Sequence, residues 1–198
     1  MADVLLIGSG NRHKAQELSH LLVGLPWEVK SLADYPEVDE PEEDGTTFEE
    51  NAVKKVRYYG ERFGVACVAD DSGLEVDVLD GAPGVYSARY AGEGCTYADN
   101  SEKLLDALEV YVWHERTARF VCCAAFLRPG GEPHVVRGTV EGHIAMEGFG
   151  DNGFGYDPLF VPAGHDRTFG EMPPEQKHKL SHRGRAFAQI RAYLENLA

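Results

Sequence analysis

The sequence predicts an α/β protein with a long central sheet flanked by helices and with two lobes around a cleft. Two observations predict this class. Short apolar runs that are typical of buried strands alternate along the chain with segments whose apolar residues recur at helical spacing. No internal repeat or low-complexity linker interrupts the 198 residues, so one domain of two lobes is expected over residues 1–198.

The first half of the chain predicts two strands and two helices. An apolar run that ends in glycine predicts a strand at residues 4–8, and residues 65–73 predict a strand that ends in two carboxylates. Helices are predicted at residues 11–24 and 46–64. Thr47 and Glu50 have the spacing of a capping box at the start of the second helix.

The second half predicts a glycine-rich irregular segment and then four regular elements. Residues 74–92 contain glycines at several turn-like positions and predict no helix or strand. A Pro-Gly-Gly turn joins two predicted strands. The strands are predicted at residues 118–128 and 133–145, and the helices at residues 99–112 and 184–197.

Composition restricts the partners and the compartment. The net charge of −14 argues against nucleic acid, because affinity for a phosphate backbone depends on clustered Lys and Arg. No apolar run approaches the ~18 residues of a membrane helix, and no basic region of a signal peptide precedes the first strand. The cysteines lack zinc-site spacing and predict reduced thiols in a cytoplasmic protein. They are Cys67, Cys95, Cys122 and Cys123.

The turn between the first predicted strand and helix, Ser9–Lys14, is a candidate phosphate site. Phosphate binds readily at helix N-termini, because backbone N–H groups and the positive end of the helix dipole point at it. Ser9 and Asn11 add side-chain donors, and the three residues after Asn11 add positive charge. The alternative is an ordinary capped helix with solvated basic residues.

Two acidic stretches are a candidate magnesium site. One is the loop before the second helix, and the other is the Asp70-Asp71 pair at a predicted strand end, where open α/β sheets bind ligands. Magnesium takes few protein carboxylates and keeps water and phosphate oxygens, so one carboxylate from each stretch suffices. The loop carboxylates are Glu40, Glu42, Glu43 and Asp44. The alternatives are a solvated charge run and a simple Asp-Ser-Gly turn.

Two further stretches have unusual compositions. Residues 177–184 gather five basic residues just before a predicted helix, a position that normally favours acids. Phe154–Phe160 places aromatic rings beside glycines and a carboxylate. This second stretch is either a rigid turn that packs or a wall against which a flat ring stacks. The basic stretch is either a ligand site or a cationic cap region around Ser181.

Together these stretches resemble the inosine triphosphate pyrophosphatase family, which hydrolyses deaminated purine nucleoside triphosphates. The resemblance follows the family's order and spacing from residue 9 to residue 184, and Ser9, where many members have Thr, keeps the hydroxyl. The matching stretches are "SGNRHKAQEL", "EEDGTTFEENAVKK", "ADDSGLEVDVLDGAPGVYSARYAG", "GFGYDPLF" and "SHRG".

The resemblance implies a role for each matching residue. Asp71 is implied as the general base, and Glu42 and Asp71 as the carboxylates that hold one or more Mg²⁺ ions. The implied nucleotide contacts are Ser9, Gly10, Asn11, Arg12, His13 and Lys14 at the triphosphate, Ser72 beside the base catalyst, Phe154, Gly155, Tyr156 and Asp157 as the wall for the purine, and Lys177, His182 and Arg183.

The implied reaction is Mg²⁺-dependent hydrolysis of inosine, deoxyinosine and xanthosine triphosphates (ITP, dITP and XTP) to the monophosphate and pyrophosphate. The implied protein is an elongated α/β homodimer with a mixed central sheet and a nucleotide-binding cleft between two lobes, and without nucleic-acid or membrane partners. His182 and Arg183 are donors, which favour a 6-oxo over a 6-amino purine. Three other readings remain open: a non-catalytic nucleotide sensor, a pyrophosphatase for modified pyrimidine nucleotides, and a structural dimer.

Overall fold

The computed structural model describes residues 3–197 and contains a six-stranded sheet with the strand order β2-β1-β3-β4-β5-β6. The strands are β1 (Asp3–Ile7), β2 (Trp27–Ser31), β3 (Ala66–Val76), β4 (Thr117–Leu127), β5 (His134–Ile144) and β6 (Phe160–Pro162). The helices are α1 (Arg12–Leu21), α2 (Phe48–Phe63), α3 (Tyr97–Ala107), α4 (Pro174–Leu180) and α5 (His182–Glu195). Within residues 3–197, no helix is long and apolar enough to cross a membrane.

The sheet is mixed, as the family resemblance implies. β1 pairs in parallel with both β2 and β3, whereas β5 and β6 pair antiparallel. The α/β class is therefore confirmed. The chain divides into two compact units, and the predicted cleft stays a prediction. The first unit comprises residues 1–71, 122–138 and 183–198, and the second comprises residues 72–121 and 139–182.

The first unit has its own core between strands and two helices. Leu18 of α1 and Ile190 of α5 are fully buried in this core, because each lies on the apolar face of its helix. The strands contribute Leu5, Ile7, Val68, Cys122 and Ala124. None of the four cysteines, which all lie within residues 3–197, forms a disulfide, and burial raises the pKa of the Cys67 thiol well above its ordinary value.

The second unit has a separate core built around aromatic rings. Phe160 and Phe169 lie 5.3 Å apart between ring centroids, and both rings contact Phe120. Arg116 is buried beside this core and donates to the carbonyls of Leu108, Tyr111 and Ala145. Its cation therefore satisfies carbonyl groups at and after the C-terminus of α3, where a helix leaves acceptors without partners.

The predicted end of the Asp70-Asp71 strand is wrong. β3 is 11 residues long and continues through both carboxylates to Val76. β1, one neighbour of β3, ends at Ile7, but β4, the other neighbour, is as long as β3 itself. β3 therefore continues beyond the end of β1 because β4 is long enough to pair with it. Leu74 and Val76 are buried in the second core, so this part of the chain is not irregular.

The helix predictions hold with shifted ends, and two short strands and one short α-helix were not predicted. In α2, Thr47 accepts from the Glu50 N–H as the capping box requires, but the Glu50 carboxylate accepts from Thr46 instead of Thr47. α3 begins earlier than predicted because Thr96 caps it. The two strands are β2 and β6, and the helix is α4.

Candidate active site

The turn after β1 lies beside the carboxylates of β3. Ile7 is level with Val68 in the parallel register, so the residues that follow Ile7 lie at the level of Asp70. Gly8 occupies the join, and a Cβ there would be 2.8 Å from the Tyr59 ring. Only glycine fits between β1, β3 and α2 at this point.

The turn leads directly into α1, and Asn11 is its N-cap. The Asn11 side-chain oxygen accepts from the backbone N–H groups of His13 (3.0 Å) and Lys14 (3.1 Å). The capped helix that the sequence allowed as an alternative is thus present. The positive end of the α1 dipole therefore lies at this turn. Ser9 in the turn is half-buried, and Arg12 is exposed.

A buried ion-pair network ties this turn to α5. The Asp70 side chain is fully buried, and its Oδ2 lies 3.6 Å from Lys14 Nζ and 3.4 Å from Arg183 Nε. Arg183 also contacts Glu17 of α1 at 2.5 Å. Burial alone lowers the pKa of the Arg183 guanidinium, but the Asp70 and Glu17 carboxylates raise it above its ordinary value. Two cations and two carboxylates therefore balance one another inside the first unit.

Asp71 faces a different set of partners, as expected for adjacent residues of one strand. Asn51 Nδ2 donates to Asp71 Oδ2 at 2.9 Å, and Lys55 Nζ lies 3.4 Å from Asp71 Oδ1. Both donors are buried on α2. Both oxygens of this carboxylate are thus held by donors from one helix. The sequence analysis did not identify Asn51 or Lys55 as functional residues.

Lys55 also joins Asp71 to the acidic loop. Its ammonium lies 2.5 Å from Glu43 Oε1 and donates to the backbone carbonyl of Asp70. Burial lowers the pKa of Lys55, but the Asp71, Glu43 and Asp70 carboxylates outweigh burial and raise it above its ordinary value. Glu42, the predicted metal ligand, is exposed in the same loop.

The acidic loop packs against the phosphate-site turn at its other end. The Glu40 carboxylate lies directly beside Gly10, in the space that a Cβ at this position would occupy. Asp44 forms an exposed ion pair with Lys54. Across residues 3–197, no group of three His, Cys, Asp or Glu side chains converges as a metal cage. Magnesium needs no such cage, since water and substrate oxygens complete its shell.

The second unit holds the predicted aromatic wall. Asp157 Oδ2 accepts from the Phe154 backbone N–H at 2.7 Å and from Lys177 Nζ at 2.6 Å. Lys177 Nζ lies 5.1 Å from the centroid of the Phe154 ring. Gly153 has a positive φ, and a Cβ there would overlap Asp157. One buried carboxylate and one buried lysine thus fix the position of Phe154.

Several other predicted contact residues have buried side chains. Tyr156 lies in the second core and donates from its hydroxyl to the Ser87 carbonyl at 3.0 Å; burial raises the pKa of Tyr156. The His182 ring stacks on Phe120 with centroids 4.7 Å apart. Gly155 and Ser72 are half-buried.

Three basic side chains of the stretch at residues 177–184 contact different groups. Lys177 contacts Asp157, His182 contacts Phe120, and Arg183 contacts Asp70 and Glu17. Each of these three basic side chains is therefore held by a different partner. Ser181 ends α4 and immediately precedes α5, which begins at His182.

Known proteins resemble this chain over nearly its whole length. The Ham1 family profile matches residues 5–193. A protein of Exiguobacterium sp. named dITP/XTP pyrophosphatase is 48% identical over 95% of each chain, and one of Geobacter sulfurreducens with the same name is 46% identical over 96% of each chain. The solved structure of the Staphylococcus aureus Ham1 protein has a TM-score of 0.87 at 40% identity and covers 98% of this chain and 99% of its own. The resemblance seen in the sequence is confirmed, and the chain belongs to the Ham1 family.

Proposed function

We propose that this protein is a nucleoside triphosphate pyrophosphatase that hydrolyses ITP, dITP and XTP to the monophosphate and pyrophosphate, and so removes deaminated purines from the nucleotide pool. The names of its relatives support the substrate class. The observation that carries the mechanism is Asp71, a buried carboxylate with one oxygen bonded to Asn51 and the other facing Lys55.

In this mechanism Asp71 accepts a proton from the water that attacks the α-phosphorus, and pyrophosphate leaves. The turn of residues 9–14 binds the triphosphate through the N-terminal end of α1, and Lys14 adds a cation there. Lys14 is already oriented toward the interior by Asp70. Ser72 follows Asp71 on β3 and is proposed as a further contact with the nucleotide.

Magnesium is the cofactor we propose, with Asp71 and the acidic loop as its protein ligands. Mg²⁺ prefers oxygen ligands such as carboxylates. Two protein carboxylates are enough, because water and phosphate oxygens fill the other coordination positions of this metal. Glu42 remains the proposed loop ligand. Its neighbour Glu43 shares a partner with Asp71, because both carboxylates contact the ammonium of Lys55. The bound ion supplies charge neutralisation on the phosphates.

The purine is proposed to bind at Phe154–Asp157 in the second unit. Because the Tyr156 side chain is committed to the core, we assign its contact, like that of Gly155, to the backbone. Lys177 holds Asp157 and Phe154 in place. His182 and Arg183 remain the proposed donors to the 6-oxo group, although both side chains are also held by protein partners.

We expect Phe154→Ala to raise KM for ITP about tenfold and to change kcat less, since base stacking contributes ~1–3 kcal/mol and 1.4 kcal/mol is about tenfold in affinity. Steady-state kinetics measure both constants. Phe149→Ala is the matched control, because Phe149 is an exposed phenylalanine five residues earlier. An unchanged KM in Phe154→Ala would show that the purine does not stack on Phe154.

The activity itself is tested by incubating the protein with Mg²⁺ and single nucleotides, and quantifying pyrophosphate and orthophosphate separately. The substrates are ITP, dITP, XTP, ATP, GTP and a set of modified pyrimidine triphosphates. We expect pyrophosphate from the first three and little product from the rest. Orthophosphate would place the cut at the γ-phosphate, and nucleotide binding without product would indicate a sensor.

We further propose a homodimer in the cytoplasm. The four cysteines of residues 3–197 form no disulfide, which agrees with a reducing compartment. Sedimentation equilibrium gives the mass directly, and a mass of one chain at micromolar concentration would exclude the homodimer.

A further inference from the structure

Asn51 is a buried polar residue on the largely apolar face of α2, which it shares with one other polar residue, Lys55. It lies in the first turns of α2, between Phe48 and Val56, and is fully buried. An asparagine at such a position costs helix stability and must satisfy its polar atoms internally. Its presence in the core of α2 therefore calls for a role in its hydrogen bonds.

Those hydrogen bonds fix the orientation of the Asn51 amide. The backbone N–H of Gly45 donates to Asn51 Oδ1 at 2.8 Å. The oxygen is thereby assigned to the loop side, so the amide nitrogen points at Asp71 Oδ2, 2.9 Å away. Only a residue with both an acceptor and a donor on one short side chain can make this pair of contacts.

The same side chain connects two parts of the candidate site. Gly45 closes the acidic loop, and a Cβ at Gly45 would lie 2.5 Å from Asn51 Oδ1, so loop and side chain are in close contact. Lys55, one turn later on α2, holds the other oxygen of Asp71. Asn51 therefore links the end of the acidic loop to the orientation of one carboxylate.

We propose that Asn51 is a positioning residue for the hydrolysis: its amide nitrogen orients Asp71 toward the attacking water, and its amide oxygen anchors the acidic loop at Gly45. This inference rests on the proposed function, in which Asp71 is the general base. Asn51 acts through Asp71 and the loop, and contacts with the nucleotide are not part of its role.

Two substitutions separate the two halves of this role. Asn51→Asp keeps an acceptor for the Gly45 N–H but removes the donor to Asp71. Asn51→Ala removes both. At saturating Mg²⁺ and ITP, we expect kcat to fall about 10- to 100-fold in both variants, the range typical of lost supporting contacts at a site. KM is expected to stay within about threefold of the wild-type value.

Hydrogen–deuterium exchange at the Gly45 amide provides a readout that does not depend on activity. We expect Asn51→Asp to retain protection of this amide and Asn51→Ala to lose it. A reduced kcat with Gly45 still protected assigns the loss to the contact with Asp71 and not to the acidic loop. A kcat within twofold of the wild-type value in Asn51→Asp would overturn the proposal.

The exchange of partners gives a second test. In Asn51→Asp combined with Asp71→Asn, the donor and the acceptor are swapped, so the hydrogen bond can form in reverse. We expect the melting temperature of the double variant to exceed that of Asn51→Asp alone, while its kcat stays as low as that of Asp71→Asn. An additive loss of melting temperature would show that the two side chains are not coupled.

Asn100 provides the matched control. It is another buried asparagine with a backbone donor and a backbone acceptor, Ala91 and Ala88. Asn100→Asp is expected to lower the melting temperature and leave kcat unchanged. If the wild-type protein releases no pyrophosphate from any substrate, the proposed function fails. If the wild type is active and the Asn51 variants match it, this inference alone fails.

Discussion

Asp71→Asn is expected to lower kcat for ITP about 100-fold or more, the size typical of a lost general base, while nucleotide binding is retained. The substitution keeps the shape of the side chain and the surrounding donors, Asn51 and Lys55. It replaces the basic carboxylate, which can accept a proton from water, with an amide, which cannot. Single-turnover kinetics measure the chemical step, and equilibrium binding of a non-hydrolysable ITP analogue measures affinity.

Asp77→Asn is the control for this change. Asp77 follows the same strand but contacts Thr117 and Arg119, so its loss is expected to leave the chemical step unaltered. A wild-type kcat in Asp71→Asn would exclude Asp71 as the general base. Lost binding with an unchanged chemical step would instead make Asp71 a ligand contact.

Asp70→Asn is expected to cost about 3–5 kcal/mol in the free energy of unfolding, the range for removing one partner of a buried ion pair. The Asp70 side chain is fully buried between Lys14 and Arg183. Without its charge, the two cations face one remaining carboxylate, that of Glu17. Urea denaturation followed by circular dichroism measures the loss.

Glu195→Gln provides the comparison for Asp70→Asn. Glu195 pairs with Arg191 on the exposed face of α5, and exposed pairs of this kind contribute ~0–1 kcal/mol. Equal losses in the two variants would show that the buried network does not stabilise the first unit. A large loss only in Asp70→Asn would establish Asp70 as a structural partner of the phosphate-site turn.

The sequence predicted the long elements because their periodicity is strong, and it failed where tertiary pairing decides. The α2 helix shows a clear apolar face and a cap, so its position was predictable. The extension of β3 through two charged residues depends on its long neighbour β4 and cannot be read from local pattern. β6 has three residues and forms only by pairing with β5.

The charged motif residues of the candidate site could be predicted from the sequence. The residues that hydrogen-bond to them and hold them in place could not. Asn51 and Lys55 were missed because polar residues on an amphipathic helix are normally assigned to its solvent face. A signal was present: both occupy core positions relative to Phe48, Ala52 and Val56. The residues of the basic stretch at 177–184 are adjacent in the sequence, but their side chains contact different partners, because neighbouring residues on helices point in different directions.

The most direct test of the proposed mechanism is to identify which phosphorus the water attacks. Hydrolysis of ITP in water enriched in ¹⁸O, followed by mass spectrometry of both products, locates the oxygen that water delivers. Attack at the α-phosphorus with Asp71 as the base predicts one ¹⁸O atom in inosine monophosphate and none in pyrophosphate. Label in pyrophosphate, or in orthophosphate, would contradict the mechanism.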